Sequence, residues 1–335
     1  MRRASAIVLA LLAGCGGGPP PDAPTVEVFL PPGSSFDQIT DSLVSRGIVT
    51  NRRWFRTLAR IRRMDRQLKA GYYEFRAGEP VGGLLDSLVR GSEKTVRLTF
   101  PEGSTIIDLS RLASTTLGLS PDSILAAARD SALIAELGIH APSVEGYLYP
   151  ETYFVSRLIT ARSLIQEMVR QFHREWDAGW EARAAEEGLT RDQVIILASI
   201  VEGEAKVEED RALVAAVYRN RIKRRMPLQA DPTVQYAIQL ATGSRKTRLF
   251  ERDYGFPSPY NTYLRPGLPP GPVGAPSSAS IAAVLAPAPV PYLFFVAEPT
   301  GKHIFTSSYG EHLRAVARVR ALERAARRGN QAGQR

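Results

Sequence analysis

The stretch Val194-Ile195-Ile196-Leu197-Ala198-Ser199-Ile200-Val201-Glu202-Gly203-Glu204-Ala205 is a nearly uninterrupted apolar run that ends in two glutamates. Such a run predicts a buried helix, and the capping-box pattern of Thr190 and Gln193 marks its start. Burial and the negative end of a helix both disfavour a carboxylate. The stretch can therefore present a protonated acid, which glycosidic bond cleavage requires. The plainer alternative is a core helix that ends in polar residues.

Helical phase distinguishes the two glutamates. Glu204 follows an apolar stripe at spacings of three, four and seven residues, formed by Val201, Ile200 and Leu197. The corresponding stripe before Glu202 is smaller and more polar. We therefore expect Glu204 to be the desolvated, protonated acid and Glu202 to be a supporting residue or a surface charge.

Other kinds of chemistry find little support in the sequence. The four histidines, at positions 140, 173, 303 and 312, have no metal-ligand spacing. There is neither a Gly-x-Ser-x-Gly elbow nor a phosphate-binding glycine loop, so we expect no metal and no cofactor. The formal net charge of +9 suits an anionic partner such as a membrane surface or a cell-wall polymer. No nucleic-acid-binding motif accompanies that charge, so nucleic acid is not an expected partner.

The N-terminus has the pattern of a targeting segment. Arg2 and Arg3 precede a short apolar run, and Leu12-Ala13-Gly14-Cys15 resembles a lipobox. We expect residues 1–15 to be a lipoprotein signal peptide, Cys15 to carry the lipid, and residues 16–24 to be a Gly/Pro tether. An ordinary signal peptide with an incidental cysteine is the alternative. Both interpretations of the signal peptide predict a protein outside the cytoplasm. The lipobox also predicts that the protein is anchored to a membrane.

Strand and helix patterns predict an α+β fold. Residues 28–35 and residues 98–105 repeat one pattern of strand, Pro-x-Gly turn, hydroxyl cap and helix. Such units resemble the LysM-like modules that hold cell-wall glycans. Residues 145–155 are expected to form a kinked strand and residues 208–225 one helix. Residues 256–276 form a long Pro/Gly/Tyr loop, and loops of this length are usually functional.

Seven ordered motifs resemble one known family. They are Glu145-Gly146-Tyr147-Leu148-Tyr149-Pro150-Glu151-Thr152-Tyr153, Ala198-Ser199-Ile200-Val201-Glu202-Gly203-Glu204, Val217-Tyr218-Arg219-Asn220-Arg221, Leu228-Gln229-Ala230-Asp231-Pro232-Thr233-Val234-Gln235-Tyr236, Tyr260-Asn261-Thr262-Tyr263, Gly267-Leu268-Pro269-Pro270-Gly271-Pro272 and Pro291-Tyr292-Leu293-Phe294-Phe295-Val296. Together they resemble the YceG-like endolytic murein transglycosylases, over nearly everything after the tether.

The resemblance implies a domain plan and a catalytic residue. A LysM-like module is expected at 25–97, a helix-rich catalytic domain with a lysozyme-like catalytic helix at 98–330, and a polar tail at 331–335. The catalytic residue of the family, the second acid of its Ile-Val-Glu-x-Glu motif, corresponds to Glu204. Candidates to line the glycan groove are Glu151, Glu202, Gln229, Asp231, Thr233, Tyr236, Tyr260, Asn261, Thr262 and Tyr263. For each of these, a turn, cap or core role is equally open.

The implied activity is that of a lyase acting within peptidoglycan strands. It cleaves the MurNAc–GlcNAc β-1,4 bond, leaves a 1,6-anhydro-MurNAc end, and trims nascent strands. The expected partners are glycan strands, a membrane through the lipid anchor, and peptidoglycan synthases; the periplasmic face of the inner membrane is the expected location. Two alternatives stay open: a hydrolytic muramidase with Asp231 as base, and a non-catalytic wall-binding lipoprotein.

The sequence departs from the family pattern at two points. Gly203 and Ala205 stand where the family usually has Lys and a hydroxyl residue, and glycine weakens a helix by about 1 kcal/mol. A lipobox stands where the family usually has a transmembrane anchor, which leaves the choice of membrane open.

Overall fold

The structure, a computed structural model, describes residues 23–31, 33–76, 78–91 and 95–332, with side chains to residue 324. It forms two compact units, one ending at Val96 and including Ser156–Leu158, the other comprising Arg97–Val155 and the chain from Ile159 onward. The predicted signal peptide, lipobox and most of the tether lie outside the described residues. None of the described helices combines the length and the apolar character that a membrane span needs.

The first unit contains a two-stranded sheet packed against helices. Its described elements are β1 (Thr25–Leu30), α1 (Phe36–Ser45), α2 (Arg52–Ile61), β2 (Gly71–Arg76) and α3 (Val81–Arg90). The strands are antiparallel, in a register that pairs Thr25 with Arg76 and Leu30 with Gly71. Apolar side chains from all five elements form one buried core, including Val28, Leu43, Phe55, Phe75 and Leu84. Burial of these side chains holds the unit together.

Helices dominate the second unit. After α3 the order is β3 (Thr95–Thr99), α4 (Ile106–Leu117), α5 (Pro121–Ala127), α6 (Ser131–Glu136), β4 (Thr152–Ser156), α7 (Ala161–Glu175), α8 (Ala178–Glu186), α9 (Arg191–Glu204), α10 (Arg211–Lys223), α11 (Asp231–Thr242), α12 (Ser278–Leu285), β5 (Phe294–Ala297), β6 (His303–Thr306) and α13 (Tyr309–Ala332). Two short 3₁₀ helices span Glu208–Asp210 and Glu251–Gly255. β3 pairs with β4, and β5 pairs with β6 as an antiparallel hairpin. The predicted α+β class is confirmed.

Helix α9 lies in the core of the second unit. Its capping box at Thr190 and Gln193 is present as predicted, and every residue from 194 to 201 is buried. The all-round burial arises because α9 packs against α10, α11 and α12. The helix ends at Glu204, and Ala205 has an extended backbone. Because the apolar run is buried, it fixes the position of the Glu202 and Glu204 carboxyl groups at the end of α9.

The strand-turn-helix repeat is confirmed. Each copy places a strand before a helix, β1 before α1 and β3 before α4. Both helices begin with a capping box, at Ser35 and at Thr105, which supplies their first free N–H groups with acceptors.

Two predicted elements are wrong in extent. Residues 145–155 are not one strand, because only β4 is extended and the preceding residues form turns. Gly146 has a φ of 80°, and a Cβ there would lie 2.5 Å from Pro272, so the chain turns where only glycine fits. Residues 208–225 are not one helix, because a 3₁₀ turn precedes α10. The buried Asp210 of that turn accepts a hydrogen bond from the His303 amide at 2.8 Å.

Candidate active site

The carboxyl group of Glu204 lies between the end of α9 and the start of α11. Its Oε1 accepts hydrogen bonds from the Tyr218 hydroxyl at 2.9 Å and from the Asp231 amide at 3.2 Å. Tyr218 belongs to α10 and Asp231 is the first residue of α11, so three helices build the site. Among the described residues, no protein group donates to Oε2. The residue is half-buried, so one oxygen is held while the other is free to meet a ligand.

The surroundings of Glu204 hold its proton. Desolvation and the nearby Asp231 carboxylate raise the pKa of Glu204 to about 7. The Tyr218 hydroxyl, the Asp231 amide and Lys206 act in the opposite direction, because they favour the ionised form. The same carboxyl can thus give up a proton and take one back near neutral pH.

Asp231 is the second carboxyl of the site. Its Oδ1 accepts a hydrogen bond from Tyr263 at 2.6 Å, and Tyr254 also interacts with it. The rings of Tyr254 and Tyr263 lie 4.5 Å apart. Burial raises the pKa of Asp231, although both tyrosines oppose the shift. Glu204 thus faces a polar aromatic wall, a surface that suits a sugar.

Glu202 lies only two residues away but has a different environment. Its side chain is 8% exposed, and its Oε2 accepts hydrogen bonds from the Ser277 amide at 3.0 Å, the Ser280 hydroxyl at 2.8 Å and Arg211 at 3.1 Å. Burial alone would raise the pKa of Glu202, but these donors lower it overall. The ionised carboxylate joins α9 to the start of α12 and to Arg211. Because the protein itself supplies these donors, Glu202 has the contacts of a structural residue.

Gly203 allows the end of α9 to approach α11 closely. A Cβ at this position would lie 2.5 Å from the Pro232 side chain, closer than atoms pack. The glycine that departs from the family pattern therefore has a packing reason. It also leaves α9 helical through Glu204.

Several predicted groove residues hold the long loop together. Asn261 and Thr262 are buried. The Asn261 amide donates to the Tyr254 and Phe256 carbonyls at 2.9 and 2.8 Å. Thr262 shares a hydrogen bond of 2.9 Å with the buried Thr233. These contacts fix the loop against α11, so they position Tyr263 rather than offer polar groups to a ligand.

The other groove candidates divide into exposed and buried groups. Gln229 and Glu151 are exposed, and Gln229 has a φ of 50°, with its amide bonded to the Thr262 carbonyl. Tyr236 is buried and donates to Glu145 at 3.0 Å. The half-buried ring of Tyr260 packs edge-on against Tyr236 at 4.9 Å. Of the predicted set, the structure brings Asp231 and Tyr263 next to Glu204.

Sequence reasoning missed one partner of Glu204 and one further buried carboxyl outside its contacts. Tyr218 lay within a quoted motif, but nothing in its spacing indicated a bond to Glu204. Glu145 is a second carboxyl with a raised pKa, about 7, because it is desolvated. It is 3% exposed, and both of its oxygens accept from the Ile106 amide at 3.2 Å, at the start of α4. Among the described residues, no group of three or more His, Cys, Asp or Glu side chains is placed to hold a metal ion.

The fold and the site define a class of protein, which the comparisons with known proteins identify. Residues 28–318 match the model of the YceG-like family, and the chain belongs to that family. A crystal structure of a yceG-like protein from Listeria monocytogenes superposes with a TM-score of 0.60 at 29% identity, covering 88% of this chain and 99% of the other.

Two named relatives are similar in sequence. An endolytic murein transglycosylase of Bacillus subtilis (strain 168) is 28% identical over 307 residues, which cover 87% of this chain and 84% of the relative. An endolytic murein transglycosylase of Streptococcus pneumoniae serotype 2 (strain D39) is 30% identical over 320 residues. These cover 87% of this chain but 58% of the longer Streptococcus protein.

Proposed function

We propose that this protein is an endolytic murein transglycosylase that cleaves peptidoglycan within its glycan strands. One observation carries the proposal: the half-buried Glu204 carboxyl has a pKa of about 7 and one oxygen without a protein donor among the described residues. The names of the Bacillus and Streptococcus relatives support the same activity.

In the proposed mechanism Glu204 acts first as an acid. Its Oε2 gives a proton to the glycosidic oxygen between MurNAc and GlcNAc, and the C1–O bond breaks to leave an oxocarbenium-like MurNAc centre. The C6 hydroxyl of the same MurNAc then attacks C1 and forms the 1,6-anhydro ring. The Glu204 carboxylate takes the proton of that hydroxyl, which restores the acid. One carboxyl group serves both steps, so the reaction consumes no water.

The contacts of Glu204 suit this exchange of roles. The hydrogen bonds from Tyr218 and from the Asp231 amide stabilise the carboxylate that exists between the two steps. Burial and Asp231 favour the acid that begins the cycle. A pKa close to the working pH makes both forms accessible, which is the condition for efficient acid and base catalysis.

Digestion of purified sacculi tests the proposal. We expect Glu204→Gln to abolish the release of 1,6-anhydro ends, since the amide can neither give nor take the proton. Glu209→Gln is the matched control, because Glu209 is an exposed residue of the 3₁₀ turn. Full cleavage by Glu204→Gln would refute the catalytic assignment. Wild-type protein that pelleted with sacculi without cleaving them would instead indicate a wall-binding protein.

A hydrolytic muramidase is the second candidate, favoured by the position of Asp231. Its amide donates a hydrogen bond to Glu204 and its carboxyl raises the pKa of Glu204 through its charge, so Asp231 is the carboxyl of this site that a hydrolysis with inversion would use as base. Product mass separates the two reactions, since a hydrolysed end is one water heavier than an anhydro end. If Asp231 is the base of a hydrolysis, Asp231→Asn should abolish the hydrolysed product. If Asp231 is not the base, Asp231→Asn should still yield the anhydro end.

We also propose a location and a module arrangement. Cys15 carries a lipid that anchors the protein at the periplasmic face of the inner membrane, near peptidoglycan synthases. Residues 25–97 form a LysM-like glycan-holding module, an assignment supported by their two-stranded sheet and helices, and α9 acts as a lysozyme-like catalytic helix. Labelling with radioactive palmitate in cells tests the anchor: the label should be present in the wild type and absent in Cys15→Ala.

A further inference from the structure

An exposed aromatic ring with two arginines lies beside the long loop. Phe250 is 52% exposed, and the guanidinium carbons of Arg248 and Arg252 lie 5.5 and 6.0 Å from its ring centroid. We call these three residues the Phe250 patch. Both arginines are exposed, and neither forms an ion pair within the described part of the chain. Their charges are therefore available to a ligand.

The backbone beneath the Phe250 patch is fixed. Asp253 is buried, and its carboxylate accepts hydrogen bonds from the Phe250 amide at 2.9 Å and from Lys246 at 2.7 Å. A shallow, open depression lies here, lined by Phe250, Glu251 and Arg252. Glu251 adds one negative charge, so the patch and its wall keep a net positive charge. An exposed ring flanked by two guanidinium groups offers apolar and cationic contacts to one ligand.

The Phe250 patch is joined to the candidate active site. The 3₁₀ helix Glu251–Gly255 follows Phe250 directly and carries Tyr254, which interacts with Asp231. At a rise of about 2 Å per residue, Phe250 and Tyr254 are about 8 Å apart along this segment. A polymer whose bond is cut at Glu204 can therefore reach the patch with a neighbouring unit.

We propose that the Phe250 patch binds the acidic peptides that peptidoglycan strands carry, and that it makes the enzyme prefer peptide-bearing strands to denuded ones. This rests on the proposed function. The guanidinium groups of Arg248 and Arg252 bind peptide carboxylates with paired N–H donors. The phenyl ring packs against the apolar parts of the sugar and the peptide. The patch thus acts on substrate choice and takes no part in bond cleavage.

Two substrates test the proposal: soluble glycan strands with their peptides, and the same strands after an amidase has removed the peptides. The enzymes are the full-length wild type, Arg248→Gln/Arg252→Gln, and the matched control Arg318→Gln/Arg320→Gln, which removes the same charge from exposed positions of α13. The readout is kcat/KM for anhydro ends by mass spectrometry. Circular dichroism and thermal melting establish that each variant is folded.

We expect the wild type to prefer peptide-bearing strands. The patch variant should lose about tenfold on those strands, as for a lost charge-assisted hydrogen bond, and less than about twofold on denuded ones. The control should match the wild type on both. Equal losses on both substrates, or no loss, would overturn the patch assignment while the proposed function stands. A wild type that cleaves neither substrate would overturn the proposed function, and the patch proposal with it.

Discussion

The hydroxyl of Tyr218 donates a hydrogen bond of 2.9 Å to Oε1 of Glu204, and so links α10 to the last residue of α9. Tyr218 is 1% exposed, and its ring packs edge-on against Phe295 at 5.9 Å, so the donor has little freedom to move. Burial and the adjacent Glu204 raise the pKa of Tyr218 far above its ordinary value. The phenol therefore keeps its proton, and keeps donating, throughout the working pH range.

Tyr218→Phe should shift the pH dependence of cleavage. The Tyr218 hydrogen bond lowers the pKa of Glu204, so its removal raises that pKa further above 7. Because cleavage needs the protonated acid, the alkaline fall in activity should move upward by about one pH unit, for a charge-assisted bond of about 1.5 kcal/mol. The rate of anhydro-end formation measured from pH 5 to pH 9 gives the profile. Tyr309→Phe, at an exposed ring, should leave the profile unchanged, and an unshifted Tyr218→Phe profile would contradict the role given to the phenol.

Gly203→Ala should destabilise the second unit. Its Cβ would lie 2.5 Å from Pro232, and overpacking of this kind costs about 1 to 3 kcal/mol. Urea denaturation measures the loss, and cleavage should fall with it because Glu204 is the next residue. Gly255→Ala is the control, since a Cβ there meets nothing within 4 Å. Gly203→Ala/Pro232→Ala should recover part of the stability; if it does not, the contact with Pro232 is not the cause.

Glu202→Gln should be costly, whereas Glu208→Gln should not. The Glu202 carboxylate is buried and accepts hydrogen bonds from Arg211, Ser277 and Ser280, so its neutralisation leaves the half-buried Arg211 guanidinium without its buried counter-charge. We expect a loss of about 3 kcal/mol in the free energy of unfolding. Glu208 pairs with the same arginine, but its side chain is 71% exposed, and such pairs contribute at most about 1 kcal/mol. Similar losses in the two variants would show that burial of Glu202 is unimportant.

Glu145→Gln should change how stability depends on pH. Glu145 is protonated in the folded chain up to about pH 7, but ionises near its ordinary value of 4.5 once the chain unfolds. The folded state thus binds more protons between these values, and its stability falls by about 3 kcal/mol as the pH rises through this window. In Glu145→Gln this contribution is absent, so urea midpoints at pH 5 and pH 8 should differ less than in the wild type. The exposed Glu186→Gln should retain the wild-type difference.

Local patterns in the sequence were enough to predict the framework of the site. The capping box at Thr190 and the uniform apolar run define where α9 begins and how it is buried. Helical phase singles out Glu204, since its neighbours at regular spacing are core residues. The expectation that Glu202 would be the more exposed of the two is wrong, because α12 and Arg211 cover its carboxylate and leave the side chain 8% exposed. These features depend on residues within one or two helical turns, a range over which sequence patterns are informative.

The contacts that tune the site join residues distant in sequence. Tyr263 reaches Asp231 across 32 positions, and Arg211 and Ser280, 69 positions apart, meet at Glu202. No periodicity encodes such pairs, because they arise from the packing of helices that sequence alone does not orient. The same holds for Gly203, which looks like a weak point in a helix until its distance to Pro232 is known.

The hydrogen bond from the Asp231 amide to Glu204 has a consequence for mutagenesis. The donor is a main-chain group at the start of α11, where the first N–H groups of a helix lack internal partners. Nearly every residue type supplies the same N–H, so alanine scanning would report the Asp231 side chain and leave this interaction intact. Only proline, which lacks the N–H, would remove it. Side-chain substitutions therefore do not detect this part of the stabilisation of the Glu204 carboxylate. The interaction can persist while the amino acid at position 231 varies.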